Sequence, residues 1–382
     1  MTKSIAIIGA GASGCLCAYF LLKSGASVTL FDKGTPLRTI LPTGGGRCNL
    51  AHAEYDFREL AKNYPRGEKF LYSIFSKFST VETLEIFKEM GINCYVQDNG
   101  RIFPKSDSAK EVRETILRQI SSADILKEEV VEVKPIDAGF KVRTLKATYF
   151  YDVVIISTGG HSGYELVRSL GIKIIEPQPS LVGLNTKENF KALSGIVVKG
   201  CKYTDGKLID VEEDLLFTHF GVSGPLIYTI SSIKAFEKMP YKLNIDLAPQ
   251  LIDLQKDLNI YPHKEIKNIL AKYLPQKLAS FVLNDIDETT KAHKINGKTR
   301  DFILKRIHNF EIEIVSTNKG EETVTAGGID LDEINPKTLQ FKKYQNLYAI
   351  GEVLNIDGFC GGFNLQNAWS TAYICSQSLI EI

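Results

Sequence analysis

At 382 residues the chain exceeds what one hydrophobic core ordinarily supports, so two or three domains are expected. Lys+Arg 46 against Asp+Glu 45 leaves a net charge of +1, without the basic excess of nucleic-acid or anionic-membrane binders, and neither partner is expected. No apolar run reaches the length of a membrane span, MTKSIAIIG reads as a strand rather than a signal peptide, and seven scattered cysteines without a CxxC suggest neither a disulfide framework nor a zinc site; a cytoplasmic protein is expected.

The apolar run at residues 4–8 leads into Gly9-Ala10-Gly11-Ala12-Ser13-Gly14, a helical segment at 15–23, Gly25 as its stop, a second strand at 27–31, and Asp32. GxGxxG between strand and helix, with an acid about twenty positions on, is the dinucleotide-binding pattern. Gly9 makes the tight turn, Gly11 lets a pyrophosphate reach backbone N–H groups, Gly14 lets the helix lie on the sheet, and Asp32 accepts from ribose hydroxyls. Three consecutive glycines follow at Thr43-Gly44-Gly45-Gly46-Arg47-Cys48-Asn49, a loop where backbone passes close to a ligand, ending in a fixed cation and a two-way amide.

Ser79 and Glu82 form a capping box for a helix with Val81, Leu84, Phe87 and Met90 on one face; Ser108 and Glu111 form a second, with Val112, Ile116 and Ile120 spaced by four. Residues 125–133, 140–144 and 148–151 read as a meander, and 152–157 as a buried strand ending in Thr158-Gly159-Gly160, with a helix through 170. From about 184 the pattern turns to short strands (196–203, 207–210, 215–218, 241–247), then to helical segments over 251–310. Near the C-terminus, AIGEVLNIDGFCGGFNLQ (349–366) ends a strand, passes Gly351-Glu352 and a glycine-rich turn, and enters a helix near Asn364. A glycine-lined helix start favours negative charge, which a reduced flavin carries around N1 and its C2 carbonyl.

TGGGRCN after GAGASG, with GRIFP (100–104), LFTHFGVSGP (216–225), VTAGG (324–328) and GE…DGFCGGFN, resembles the BaiN/YhiN-type family of bacterial FAD-dependent oxidoreductases. The resemblance implies an α/β fold: a Rossmann-like, glutathione-reductase-like FAD-binding domain (1–183 and 324–382) with an inserted β-rich unit (184–250 and 311–323) carrying a helical unit (251–310). It implies FAD contacts from Ala12, Ser13 and Lys33 beside the first turn, from Gly44, Gly45, Gly46, Arg47, Cys48 and Asn49, from Val130, and from Thr158, Gly159 and Gly160. At the C-terminal end it implies Gly351, Glu352, Asp357, Gly361, Gly362, Phe363, Asn364 and Gln366. The family commonly has Glu where this chain has Asp32. Only one complete GxGxxG unit is present, so NAD(P)H is expected as a transient co-substrate in a ping-pong cycle rather than in a domain of its own.

Flavin N5 itself exchanges the hydride, leaving the protein to orient a small-molecule substrate and handle a proton. His219, the one histidine inside a family block, is the candidate for proton transfer, against the alternative of a bond to its following loop. Arg101 is the candidate anchor for a carboxylate or carbonyl, against a structural ion pair. Cys48 and Cys360 are a conceivable redox pair. The expected activity is NAD(P)H-dependent reduction of an activated C=C bond or similar small acceptor. The alternatives are an oxidase of a small amine or alcohol, and a flavin-dependent RNA-modifying or flavin-binding partner protein.

Overall fold

In a computed structural model describing residues 3–206, 210–318, 320 and 324–380, the strand Ser4–Ile8 lies at the centre of a parallel five-stranded sheet. The spatial order is Leu347–Ala349, Val153–Ile156, Ser4–Ile8, Ser27–Phe31, Asp124–Leu126. Ile7 pairs with Leu30 on one side and Ile155 on the other, and all three are fully buried. Such runs are apolar throughout because a parallel sheet is covered on both faces. The first helix spans Ala12–Lys23, starting three residues before the expected 15, with Gly11 as its N-cap. It is buried from Ala12 to Leu21, packed against the long helix Phe363–Ile380.

The expected strand 125–133 is two elements. Asp124–Leu126 is the edge of the parallel sheet, and Val130–Ile136 opens a separate antiparallel meander with Gly139–Thr144 and Thr148–Tyr151. The capping box of Ser79 and Glu82 heads the helix Thr80–Glu89, but its buried face is Thr80, Thr83 and Phe87, and Val81 is 40% exposed. Thr83 belongs inside because its Oγ1 accepts from Gln366 Nε2 at 2.8 Å. Ser108 Oγ accepts from Glu111 N at 3.2 Å to start Ala109–Gln119. The helix after residues 158–160 is short, Tyr164–Arg168.

Contact density divides the chain into two units, Met1–Gln178 with Val324–Ile382, and Pro179–Thr323. The second contains a closed antiparallel barrel in the order Leu184–Thr186, Gly221–Ser223, Asp210–Phe217, Val197–Thr204, Tyr241–Asp246, Phe310–Thr317, and closure comes from Leu184 pairing with Thr317. Helices Leu254–Ile260, Ile266–Leu270, Gln276–Val282 and Gly297–His308 share one core with it, where Leu243, Ile312, Leu278, Ile303 and Ile307 are all fully buried. Of the expected strand 207–210, residues 207–209 lie outside those described, and Asp210 opens Asp210–Phe217. Among the described residues no helix is long and apolar enough to cross a membrane.

Candidate functional site

The turn after the first strand is built by its own backbone. Gly9 N donates to Phe31 O at 2.8 Å, and a Cβ at Gly9 would lie 2.2 Å from Ser157 O. One at Gly14 would lie 2.1 Å from Gly9 O, whereas one at Gly11 would meet nothing within 4 Å. Asp32 holds the turn through Oδ2, which accepts from Ala10 N at 2.8 Å, and Oδ1, which accepts from Gly34 N at 2.7 Å. Three strand ends converge: Ser13 Oγ is 2.9 Å from Ser157 Oγ, and a Cβ at Gly351 would lie 2.4 Å from Ser13 Oγ. Lys33 reaches Glu129 at 3.2 Å on the surface, and Val130 is buried where the meander begins.

In the second glycine loop, Gly45 and Gly46 take positive φ (69° and 88°), and a Cβ at Gly45 again meets nothing within 4 Å. A Cβ at Gly44 would press on the Phe103 ring at 2.5 Å. Arg47 stacks on that ring with its guanidinium 4.0 Å from the centroid, and its Nε donates to Gly44 O at 3.1 Å. Cys48 is fully buried at φ 66°, and burial pushes its thiol up to about 12, so it is no thiolate at neutral pH. Asn49 Oδ1 and Thr158 Oγ1, with Asn355 Oδ1, Gln366 Oε1 and Asn367 Oδ1, are buried oxygens with no hydrogen-bond partner among the described residues. Such groups are ordinarily satisfied, and a bound ligand is one way to satisfy them.

At the C-terminal end, Glu352 Oε1 accepts from Thr325 N at 2.9 Å, and burial raises its carboxyl above the ordinary glutamate range. A Cβ at Gly160 would lie 2.6 Å from Thr325 Oγ1 and 2.9 Å from Glu352 Oε1, which ties the 158–160 turn to the same place. Gly361 and Gly362 (φ 147° and 104°) precede the helix Phe363–Ile380, with Gly362 hard against Ala51 O. Three of the expected contacts are bonded inside the protein, Gln366 with its Oε1 left without a partner among the described residues. Asp357 is fully buried in an ion pair with Arg66. Asn364 bonds both N and O of Gly358 at 2.8 Å, and Gln366 Nε2 donates to Thr83 and to Ser370 Oγ at 2.9 Å.

Arg101 lies in the strand Arg101–Pro104, opposite His52 in register, with Nη2 3.6 Å from Cys360 Sγ. His52 stacks on Phe363 (centroids 4.6 Å) and sets Nδ1 3.1 Å from Gly361 O. Sequence reasoning missed His52: it stands three residues past the glycine loop in no motif, and only the pairing of Ala51–His52 with Arg101–Pro104 reveals it. His219 is in the second unit, exposed at the turn between Asp210–Phe217 and Gly221–Ser223. Its ring makes an edge contact with Phe220 at 5.2 Å and has no hydrogen-bond partner among the described residues, so no bond to the following loop holds it.

At its two glycine loops the first unit therefore offers open backbone positions at Gly11 and Gly45, the Asp32 carboxylate tied to the first turn, and the buried oxygens of Asn49 and Thr158. That arrangement fits FAD, whose pyrophosphate the first turn would hold and whose ribose Asp32 would accept from. The chain matches the HI0933-like protein Rossmann domain family over residues 3–378. It is 29% identical to a ribosomal RNA dihydrouridine synthase of Escherichia coli (strain K12), over 98% of this chain and 97% of that protein. It is also 29% identical to a 3-dehydro-bile acid delta(4,6)-reductase of Clostridium scindens, over 99% of each. The open conformation of a flavocytochrome c3 fumarate reductase shares the fold, with TM-score 0.53 at 13% identity over 100% of this chain and 78% of that one. The chain belongs to the HI0933-like family of FAD-dependent oxidoreductases.

Proposed function

We propose that the protein reduces a C=C bond conjugated to a carbonyl, with NAD(P)H as a transient electron donor. The observation that supports this reading is the full-length similarity to a ribosomal RNA dihydrouridine synthase and to a 3-dehydro-bile acid delta(4,6)-reductase. FAD, when bound and first reduced by NAD(P)H, would supply a hydride to the carbon β to the carbonyl. The chain's own residues supply the rest. Arg101 offers its fork of N–H donors to the carbonyl oxygen and draws charge toward it. The proton that the α carbon needs is drawn from solvent. Glu352 and Asn49 hold the cofactor from the protein side, and no second nucleotide domain is required if the nicotinamide and the acceptor use one cleft in turn.

The test is anaerobic stopped-flow absorbance of the FAD-loaded protein mixed with NADH or NADPH, followed by a cyclic enone. Bleaching by one nicotinamide and recovery on adding the enone is the expected result. Inertness toward both nicotinamides together with peroxide release from a small amine would replace this reading with an oxidase.

A further inference from the structure

We propose that His52 is a positioning residue for the flavin: its ring pins the peptide between Gly361 and Gly362, aims the Gly362 N–H at the negative charge of reduced FAD, and so raises the cofactor's reduction potential. The inference rests on FAD binding and on no particular acceptor.

The half-buried imidazole is held on several sides. Its backbone is fixed by pairing with Arg101 and by Thr80 Oγ1, which donates to His52 O at 3.0 Å. Its ring lies on Phe363 with the two planes 25° apart. Nδ1 stands 3.1 Å from Gly361 O, and a carbonyl only accepts, so Nδ1 carries the hydrogen. Glycines from two distant segments leave the ring its room: a Cβ at Gly100 would lie 2.5 Å from Nε2, and one at Gly361 would lie 3.1 Å from Nδ1.

The carbonyl that His52 holds lies outside the ladder of the helix Phe363–Ile380, whose first bond runs from Gln366 N to Gly362 O at 3.0 Å. Across a trans peptide the C=O and the N–H point opposite ways, so drawing Gly361 O toward His52 turns the Gly362 N–H away from it. None of the described residues accepts from that N–H. It joins the free N–H groups of the first helical turn, where negative charge is favoured. Two electrons and one proton convert oxidised FAD to an anion, so a donor there favours the reduced form over the oxidised one. The bond from Nδ1 also polarises the peptide and strengthens its N–H as a donor.

The test is the reduction potential of bound FAD, by dithionite titration against an indicator dye, together with the Kd of oxidised FAD for the cofactor-free chain. Neither needs a nicotinamide or an enone, so the result stands or falls apart from the reductase reading. H52L removes the donor, and reduced FAD should lose about tenfold more affinity than oxidised FAD, which lowers the potential by about 30 mV. H52N places an amide N–H where Nδ1 stands and should keep that difference within about threefold. H52Q carries its amide toward the Nε2 end, past Gly361 O, and should follow H52L; it takes the place of H52L if that variant does not fold. An unchanged potential in H52L and H52Q, or a loss in H52N equal to theirs, would overturn the inference. A lower unfolding temperature with the potential unmoved would leave His52 a packing residue.

Discussion

The two glycine-rich turns of the first unit differ in what demands the glycine. In the turn after Ser4–Ile8, Gly9 and Gly14 are hemmed in by the protein's own backbone, at 2.2 and 2.1 Å from a hypothetical Cβ. In the loop at residues 43–49, Gly45 faces open space and is glycine for its positive φ. Gly11 belongs with the open class although it sits inside the first motif, and its φ of −79° would suit any residue. Gly25 and Gly91 at ordinary helix ends are equally open, so it is the place of Gly11 at the start of Ala12–Lys23 that makes the cofactor the natural claimant there. A motif read as one signal thus divides into a structural half and a binding half.

That division is sharpest in paired substitutions. Gly14→Val should destabilise the protein by about 3 kcal/mol or more, because its Cβ cannot avoid Gly9 O without moving the helix off the sheet. Thermal unfolding of the cofactor-free chain would show it. Gly11→Val should leave that unfolding within about 0.5 kcal/mol of wild type and weaken FAD binding on the order of a hundredfold, near 2.7 kcal/mol, in a flavin titration. If both variants unfold alike, the open position is part of the packing after all.

Arg101 extends the comparison from binding to turnover. Its guanidinium approaches Cys360 Sγ at 3.6 Å, a weak tie for a half-buried cation. Arg101→Lys keeps the charge and loses the fork, so kcat/KM for an enone should fall roughly tenfold, as for one charge-assisted hydrogen bond, with unfolding unchanged. An unfolding temperature that drops while kcat/KM holds would make Arg101 a structural residue.

What was legible in the sequence follows how far apart the interacting parts lie. GxGxxG and Asp32 are within one βα unit, and their requirements are local, so spacing alone exposes them. The meeting of Gly351 with Ser13, of Gly160 with Thr325 and Glu352, and of Gly362 with Ala51 joins segments far apart in the chain and leaves no periodic trace. Barrel closure is hidden for the same reason, since Leu184 pairs with Thr317 across the whole insertion. On the expected face of Thr80–Glu89, Phe87 and Met90 are buried but Val81 is exposed, because the core there is finished by a polar bond from Gln366 to Thr83. His52 combines both obstacles, a polar residue placed by distant pairing.

Glu352 lies on the border between the two classes and gives the smallest effect. One oxygen serves the fold by accepting from Thr325 N, yet burial holds the carboxyl above its ordinary range. The sign follows from proton uptake. Below the ordinary glutamate range folded and unfolded chains are both protonated and the folded state loses nothing. As pH rises toward the raised folded value, the unfolded chain has already released its proton while the folded one still holds it, so stability falls with rising pH. Glu352→Gln keeps an acceptor for Thr325 and removes the titration. The cofactor-free variant should therefore unfold at a temperature independent of pH in this window, and be relatively more stable than wild type at neutral pH. Saturating FAD should narrow the difference between them if a cofactor hydroxyl donates to the ionised carboxylate, because that bond favours the charged form. A difference unchanged by FAD would return Glu352 wholly to the structural class.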